Sequence, residues 1–436
     1  MPDTDTDTDT DTDMDRQSKS PRAKSATIPT ARRITGRSVI IGVAAALCAA
    51  LVFRQTAVQI LAMDNPQLAL KLDRDDPVAV ANATALRFGQ SKATVSVQDL
   101  MQSGRGLLRV APLDTRGLRF IAIGQETPGD PDRARPLFAL AERITRRDYA
   151  AQIWWLQYFG RHNDYRTALD HMDIALRTSG ESATLMFPAI VKLLADRRVA
   201  TYFSKYIRAN PAWLNDFLIY AVAESDGVGL AHAVIAAGGL PPGAKSATIA
   251  TALIQRLEVA NQALVARDFY MRLPGAQHQA LSDVGFGRAN IAESFAPITW
   301  LTLRTPTAVS EFDLQDDGSI VLSAEVDADA TAPVLQKLLY LAPGAYRWSV
   351  EHKFSAGEET SAIRWSMACL GASSPFELWT TDSPFNSAPV RMVEDFRVPA
   401  QCPAQRIVMT AIGGSGRAGA KMTVQRPSLQ SIGPSK

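Results

Sequence analysis

Hydrophobic and polar positions follow three successive patterns along the chain. Residues 38–53, SVIIGVAAALCAALVF, carry no charge. From residue 64 to about residue 275, apolar positions recur with a helical period between Gly and Pro turns, which predicts a series of helices. From residue 291 to residue 436 the period falls to two, as in AYRWSVEHKF and SAIRWSMACL, which predicts about eight short antiparallel strands. The predicted fold class is therefore multidomain, α then β, with a jelly-roll-like β-sandwich at the end and residues 276–290 as a linker.

Two of the helical stretches repeat each other at a spacing of 34 residues. The matched positions are Ala134, Phe138 and Ala141 in DPDRARPLFALAE, and Ala168, Met172 and Ala175 in DYRTALDHMDIAL. Small, large and small residues at i, i+4 and i+7 lie on one helical stripe, where a neighbouring helix can approach closely. One period further on, the same register reaches Tyr202, Tyr206 and Ala209. The pattern resembles tetratricopeptide repeats and predicts an α-solenoid over residues 64–275 with degenerate end repeats; the alternative is a chance match of two amphipathic helices.

Charge around the apolar segment predicts a membrane anchor. Residues 1–15 carry seven Asp, and residues 16–37 carry seven Lys or Arg. We expect residues 1–37 to be a disordered cytoplasmic tail, residues 38–58 a single inner-membrane span, and the remainder periplasmic. A cleaved signal peptide is the alternative. Cys48 also raises the possibility of a lipoprotein, but Leu47 stands where a small residue should precede the modified Cys.

Two cysteines fall in the predicted sandwich. In an oxidising compartment, Cys369 and Cys402 are expected to form a disulfide that ties a strand to the loop before the next strand. Two unrelated buried thiols are the alternative.

Motifs of catalysis and cofactor binding are weak in this sequence. The formal net charge of +2 gives no reason to expect nucleic-acid binding. GGSGRAG has the spacing of a dinucleotide fingerprint, but it is followed by a predicted strand rather than a helix. The five His lack metal-ligand spacing, and the acidic pairs Asp316–Asp317 and Glu394–Asp395 fall in a turn and a loop. We therefore predict no enzyme, no cofactor and no metal.

The predicted sandwich, with SFAPITWLT, YLAPGAYRWSVEHKF and FRVPAQCPAQRIVM, resembles C-terminal domains of envelope tetratricopeptide proteins in sphingomonad-like bacteria. Those domains resemble carbohydrate-binding modules, and the proteins accompany surface-polysaccharide machinery. The resemblance implies a scaffold whose solenoid recruits a protein partner and whose sandwich contacts glycan. The alternative is an envelope-complex organiser in which the sandwich is a structural or protein-binding cap.

Candidate binding residues are aromatic or charged positions near loops. Trp379 and Glu377, in PFELWTTDSPF, are the candidates for glycan contact, because an exposed ring suits the apolar face of a sugar. Trp154, Tyr158 and Arg161 are the candidates for partner binding by the solenoid. Core packing is the simpler interpretation of the two aromatic residues among them.

Overall fold

The computed structural model describes residues 36–90, 96–126, 130–180, 182–243, 245–371 and 374–433. The chain divides into two compact units, residues 1–93 and residues 94–436. The predicted tail lies outside the described residues except for its last two positions. The predicted fold class is confirmed, because helices are followed by two antiparallel sheets, and one N-terminal apolar helix is long enough to cross a membrane.

The described part of the first unit, residues 36–90, contains three helices: α1 Gly36–Asp64, α2 Pro66–Leu72 and α3 Pro77–Gln90. Residues 39–56 of α1 are exposed along their whole length, as the lipid-facing surface of a span would be. Further along α1, Val58 and Ala62 are fully buried against Ala69 of α2 and Ala79 of α3. Thus α2 and α3, which the sequence analysis assigned to the solenoid, pack against α1.

The second unit begins with helices that each pack against helices nearby in the chain, either the next one or the next but one. They are α4 Val97–Val110, α5 Thr115–Gln125, α6 Arg135–Ile144, α7 Tyr149–Arg161, α8 Tyr165–Thr178, α9 Ser182–Leu194, α10 Arg197–Ala209, α11 Leu214–Glu224, α12 Val228–Ala237, α13 Ser246–Val259 and α14 Ala263–Tyr270. The six residues matched at 34-residue spacing on α6 and α8 and just before α6 are all buried. The third match holds at one position only: Tyr206 is buried, whereas Ala209 is exposed and Tyr202 is 41% exposed, with Phe203 buried beside it.

Helix α7 begins at a carboxylate that also joins it to α5. Asp148 Oδ1 accepts a hydrogen bond from the Ala151 backbone N–H at 3.2 Å, which caps the helix. Its other oxygen accepts from Thr115 Oγ1 at 2.9 Å, and Arg119 pairs with the same carboxylate. One largely buried side chain therefore fixes the register of two helices.

The sandwich consists of two five-stranded antiparallel sheets. Its strands are β1 Leu301–Thr302, β2 Ala308–Leu314, β3 Ile320–Val326, β4 Thr331–Leu339, β5 Gly344–Ala356, β6 Ala362–Leu370, β7 Phe376–Pro384, β8 Val390–Val398, β9 Ala404–Ile412 and β10 Ala420–Ser431. Sheet I has the order β1-β4-β9-β6-β7, and sheet II has the order β2-β3-β10-β5-β8. The two-fold alternation places Trp348 and Trp365 between the sheets, with ring centroids 5.1 Å apart.

The disulfide predicted from the sequence is present. Cys369, near the end of β6, is bonded to Cys402 in the loop before β9, and their Cα atoms are 5.5 Å apart. Cys48 is a free, exposed cysteine on α1. A disulfide of this kind is typical of proteins in an oxidising compartment.

Residues 276–290, predicted to be a linker, are packed against the sandwich. Val284 and Phe286 belong to the core between the sheets, and Trp300 Nε1 donates to the Val284 carbonyl at 3.0 Å. Lys337 of β4 is fully buried there, and its Nζ donates to Asn290 Oδ1 at 2.7 Å and to the Ile298 carbonyl. Burial lowers the pKa of Lys337 to about 7, so a neutral amine with two N–H groups can satisfy both acceptors.

One end of sheet I packs against the last two helices. Leu338 of β4, Leu370 of β6 and Ala404 of β9 belong to the helical core. Tyr340 Oη donates to the Ala263 carbonyl at 2.8 Å, and Arg406 lies 3.5 Å from the buried carboxylate of Glu258. Burial raises the pKa of Glu258 despite that arginine. The helices and the sandwich therefore share a continuous hydrophobic contact.

Candidate ligand-binding surfaces

The outer face of sheet II is a polar surface built by strand alternation. Apolar side chains of β3, β5 and β10 point between the sheets, so the intervening positions point outward. The outward positions carry hydroxyl, amide and charged groups, and they line a groove of about 640 Å³ together with the β2–β3 turn. The lining residues include Gln315, Asp316, Asp317, Ser319, Ser323, Lys353, Thr423 and Gln425.

Three of these side chains form a row across neighbouring strands. Thr423 of β10 pairs with Ser323 of β3 on one side and with Lys353 of β5 on the other. Neighbouring strands lie roughly 4.8 Å apart, so a ligand across the row meets two hydroxyl groups and then an ammonium group. Ser323 Oγ donates to Asp313 Oδ2, so its oxygen is left to accept from a ligand. Within the described residues, the side chains of Thr423 and Lys353 have no hydrogen-bond partner and stay available to a ligand. We call Ser323, Thr423 and Lys353 the polar row.

The β2–β3 turn forms one wall of the groove. Gly318 has a φ of 81°, a conformation that favours glycine at this turn. Asp317 Oδ1 accepts hydrogen bonds from the Ser319 hydroxyl at 2.6 Å and from its backbone N–H at 2.9 Å. These bonds lower the pKa of Asp317, so its carboxylate is an acceptor at neutral pH.

The two residues expected to contact glycan do not share a face of the sandwich. Trp379 pairs with the inward-facing Met367, whereas Glu377 pairs with Ala368, because a bulge in β7 shifts the register between them. Trp379 is only 7% exposed, and its ring lies 6.0 Å from that of Phe396. The expectation that Trp379 faces solvent is therefore wrong. Glu377 is exposed, and its Oε2 accepts a hydrogen bond from Thr380 Oγ1 at 2.8 Å.

A second groove lies between α6 and α7 and has a volume of about 770 Å³. Trp155, Tyr158 and Phe159 of α7 line it beside His162, and arginines of α6 and the following turn stand along the other side. These arginines are Arg135, Arg143 and Arg146. Arg146 lies 3.3 Å from Glu142, and Arg135 lies 3.9 Å from Asp132. Arg143 has no ion-pair partner among the residues described.

Of the three residues expected to bind a partner, Tyr158 lines this groove, and Trp154 and Arg161 do not. The Tyr158 hydroxyl donates to Asp132 Oδ1 at 2.6 Å, and that bond raises the pKa of the tyrosine. Trp154 and Arg161 both approach Glu126: Trp154 Nε1 donates to Oε2 at 3.0 Å, and Arg161 Nη1 lies 3.5 Å from Oε1. Trp154 is 8% exposed and stacks on Phe138 at 4.1 Å, which matches the simpler interpretation of core packing.

The acidic pairs noted in the sequence take part in structural hydrogen bonds. Asp395 forms a bidentate pair with Arg347 at 2.7 Å, and Glu394 Oε2 accepts from Thr381 Oγ1 at 2.9 Å. Within the part of the chain that the structure describes, no group of three or more His, Cys, Asp or Glu could hold a metal ion. His352 faces the sandwich core and contacts Ser383 Oγ at 2.8 Å.

Sequence reasoning missed the polar row and the arginines of the helical groove. A signal was present for the arginines, because Arg135, Arg143 and Arg146 recur with a helical period in RPLFALAERITRR. The polar row carried a weaker signal. Its residues are the outward positions of three strands that are adjacent only in the folded sheet.

The comparisons with known proteins place β-sandwich carbohydrate-binding modules among similar structures. No family profile and no curated protein matches this chain. A structure described as that of a CBM4 module is 15% identical, with a TM-score of 0.22, over 29% of this chain and 95% of that one. The N-terminal cellulose-binding domain of a Cellulomonas fimi β-1,4-glucanase is 15% identical, with a TM-score of 0.24, over 31% of this chain and 91% of that one.

Proposed function

We propose that this protein is a non-enzymatic scaffold of a bacterial envelope, anchored in the inner membrane by α1, that binds glycan on the outer face of sheet II. In this proposal the remaining chain is periplasmic, and the helices form a tetratricopeptide-like solenoid that recruits a protein of surface-polysaccharide assembly or export. The exposed apolar surface of α1 and the disulfide are the features that support the proposed location.

The polar row is the observation that carries glycan binding. Sugars present many hydroxyl groups, each a donor and an acceptor, and sites that recognise them need matching polar side chains in a concavity. The groove supplies the Thr423 hydroxyl, the Lys353 ammonium group and the Asp317 carboxylate within 640 Å³, with the Ser323 hydroxyl oxygen as a further acceptor. Thr423 and Lys353 gain hydrogen bonds on binding without breaking any bond to another described residue.

Hydrogen bonding, rather than stacking on tryptophan, is the proposed mode of recognition. Trp300, Trp348, Trp365 and Trp379 are all buried in the sandwich. An indole ring can stack on a sugar only where its face is exposed. The groove lining is instead made mostly of hydroxyl, amide and charged groups.

The test is titration of soluble oligosaccharides into the full-length protein in detergent, followed by the double variant Thr423→Val/Lys353→Met. Loss of a hydroxyl and an ammonium bond should weaken binding about tenfold or more. Thr410→Val is the matched control, because Thr410 is a half-buried threonine on the central strand β9 of the other sheet. If no oligosaccharide binds, or if the double variant binds like the wild type, the groove is not a glycan site.

The helical groove supports partner recruitment. Its aromatic side chains suit apolar side chains of a protein segment, and Arg143, which has no ion-pair partner among the described residues, suits an acidic one. A photo-crosslinking residue at position 143 should trap a protein partner in cells. The same residue at Arg105, exposed on α4, is the control and should trap none. Capture of polysaccharide polymerisation or export proteins would support the proposed role in surface-polysaccharide assembly or export. Capture of unrelated envelope proteins alone would contradict that role.

A structural cap is the second candidate function of the sandwich. The observation that favours it is the burial of Leu338, Leu370 and Ala404 in the helical core. Terminal helices of a solenoid need their apolar face covered, and sheet I covers α13 and α14. The two functions are compatible, because capping uses sheet I and the groove lies on sheet II. Capping alone predicts that no oligosaccharide binds.

A further inference from the structure

The first unit carries a band of charged residues at one level along α1. Arg54 Nη2 donates to the Leu72 carbonyl at 2.9 Å and lies 3.9 Å from Asp73 Oδ2. Both partners of Arg54 belong to residues 71–75, KLDRD, in which Lys71, Arg74 and Asp75 are exposed. Charges of both signs therefore surround α1 where its uncharged segment ends.

The directions of the three helices place the charged band at the end of the unit nearest to the proposed span. Helix α2 starts directly after α1 and ends beside Arg54, so it runs back toward the uncharged segment. Helix α3 then runs away again, because Asn82 Nδ2 donates to the Ala62 carbonyl at 2.8 Å. The turn between α2 and α3 is thus the part of the hairpin closest to residues 38–53. The end of α1 at Asp64, ten residue steps beyond Arg54, lies about 15 Å further from the uncharged segment.

We propose that the membrane span ends at Arg54 and that the α2–α3 turn lies in the phospholipid headgroup layer. This inference rests on the proposed anchoring by α1. Extension of the span to residue 58, as expected from the sequence, would carry Arg54 and the charged turn about 6 Å into hydrocarbon. Charged side chains are unfavourable there, whereas headgroups offer phosphate and amine partners for both signs.

Side chains next to the charged band fit the same boundary. Phe53, which precedes Arg54 in sequence, is 77% exposed. Leu72, whose carbonyl accepts the hydrogen bond from Arg54, is 42% exposed. Apolar groups at that level can enter the upper acyl region while the charges remain among headgroups. Beyond the band, Gln55 and Gln59 are exposed polar residues of α1. An uncharged segment of 16 residues is about 24 Å long, so the local bilayer must thin slightly to match it.

The test uses nitroxide labels on the full-length protein in vesicles of phosphatidylethanolamine and phosphatidylglycerol. Single cysteines replace Leu47, Gln59 or Asp75 in a Cys48→Ala background, with the disulfide left intact. Collisions with oxygen should dominate at position 47, and collisions with a water-soluble nickel chelate should dominate at positions 59 and 75. If oxygen collisions dominated at positions 59 and 75, as they do in hydrocarbon, the proposed boundary would be wrong but the anchor would stand. Water-like values at 47 would remove the anchor itself.

A matched pair of variants tests the role of Arg54. Arg54→Leu removes the first charge and its bond to Leu72, so the label at position 59 should move deeper by about one helical turn, roughly 5 Å. Arg87→Leu makes the same change at an exposed position of α3 and should leave that depth unchanged. An unchanged depth in Arg54→Leu would show that Arg54 does not set the end of the span.

Discussion

Lys337 makes the stability of the sandwich depend on pH in a specific direction. Its folded-state pKa of about 7 lies below the ordinary value of 10.5, so between these values the unfolded chain binds more protons. The free energy of unfolding should therefore rise as pH increases from 7 to 10.5. Lys337→Met should remove this part of the rise, which chemical denaturation at several pH values measures. Equal pH dependence in both proteins would contradict a buried, neutral amine.

The disulfide should stabilise the sandwich by closing a long loop. Its cysteines are 33 residues apart in sequence, for which loop-closure entropy gives about 3–4 kcal/mol. Denaturant unfolding of Cys369→Ala/Cys402→Ala should show a loss of this size. Cys48→Ala, which changes an exposed cysteine outside the sandwich, is the control and should leave the denaturant midpoint of sandwich unfolding unchanged. A double variant as stable as the wild type would contradict the prediction.

Single side chains in the sandwich were predicted well where strand alternation decides them. Trp348 and Trp365 are buried as the two-fold pattern requires. Trp379 was predicted to be exposed because it lies near loop sequence, but residues 376–384 form β7, and a bulge there turns Trp379 inward. Nothing in PFELWTTDSPF marks the bulge, since it is set by pairing with β6.

At the scale of a helix, the repeat pattern predicts where stability resides. Phe138 of α6 is fully buried and stacked on Trp154, whereas Leu140 of the same helix is 37% exposed. Phe138→Ala should lower the free energy of unfolding by about 3–5 kcal/mol, because it leaves a cavity in the helical core. Leu140→Ala should cost clearly less. Similar losses for the two variants, measured by denaturation, would mean that α6 does not pack as described.

Helix periodicity located the helical region but lost the register of its later repeats. Residues on α6 and α8 are buried at the predicted spacing, yet at the next period α10 turns Tyr202 outward and buries Phe203. A repeat of fixed length holds only while successive turns keep their lengths. Tyr206 is buried one period after Met172, so only the middle position of the repeat persists in α10.

At the scale of the whole molecule, neighbouring strands in the sheet decide which residues form the proposed glycan site. β10, the last strand, lies between β3 and β5, so Thr423 meets Ser323 and Lys353 from distant parts of the sequence. The sequence predicted a sandwich with alternating faces but not this order. This long-range pairing explains why the polar row was missed.

The most direct measurement of the central claim is hydrogen–deuterium exchange of the full-length protein with and without a bound oligosaccharide. Binding on sheet II should slow exchange in the β2–β3 turn and in residues around Lys353 and Thr423, with little change in β6 and β9. A ligand that stabilises the walls of a groove against local opening protects their backbone amides from exchange. Protection confined to sheet I or to the helices, or no protection at saturating oligosaccharide, would contradict glycan binding at the polar row.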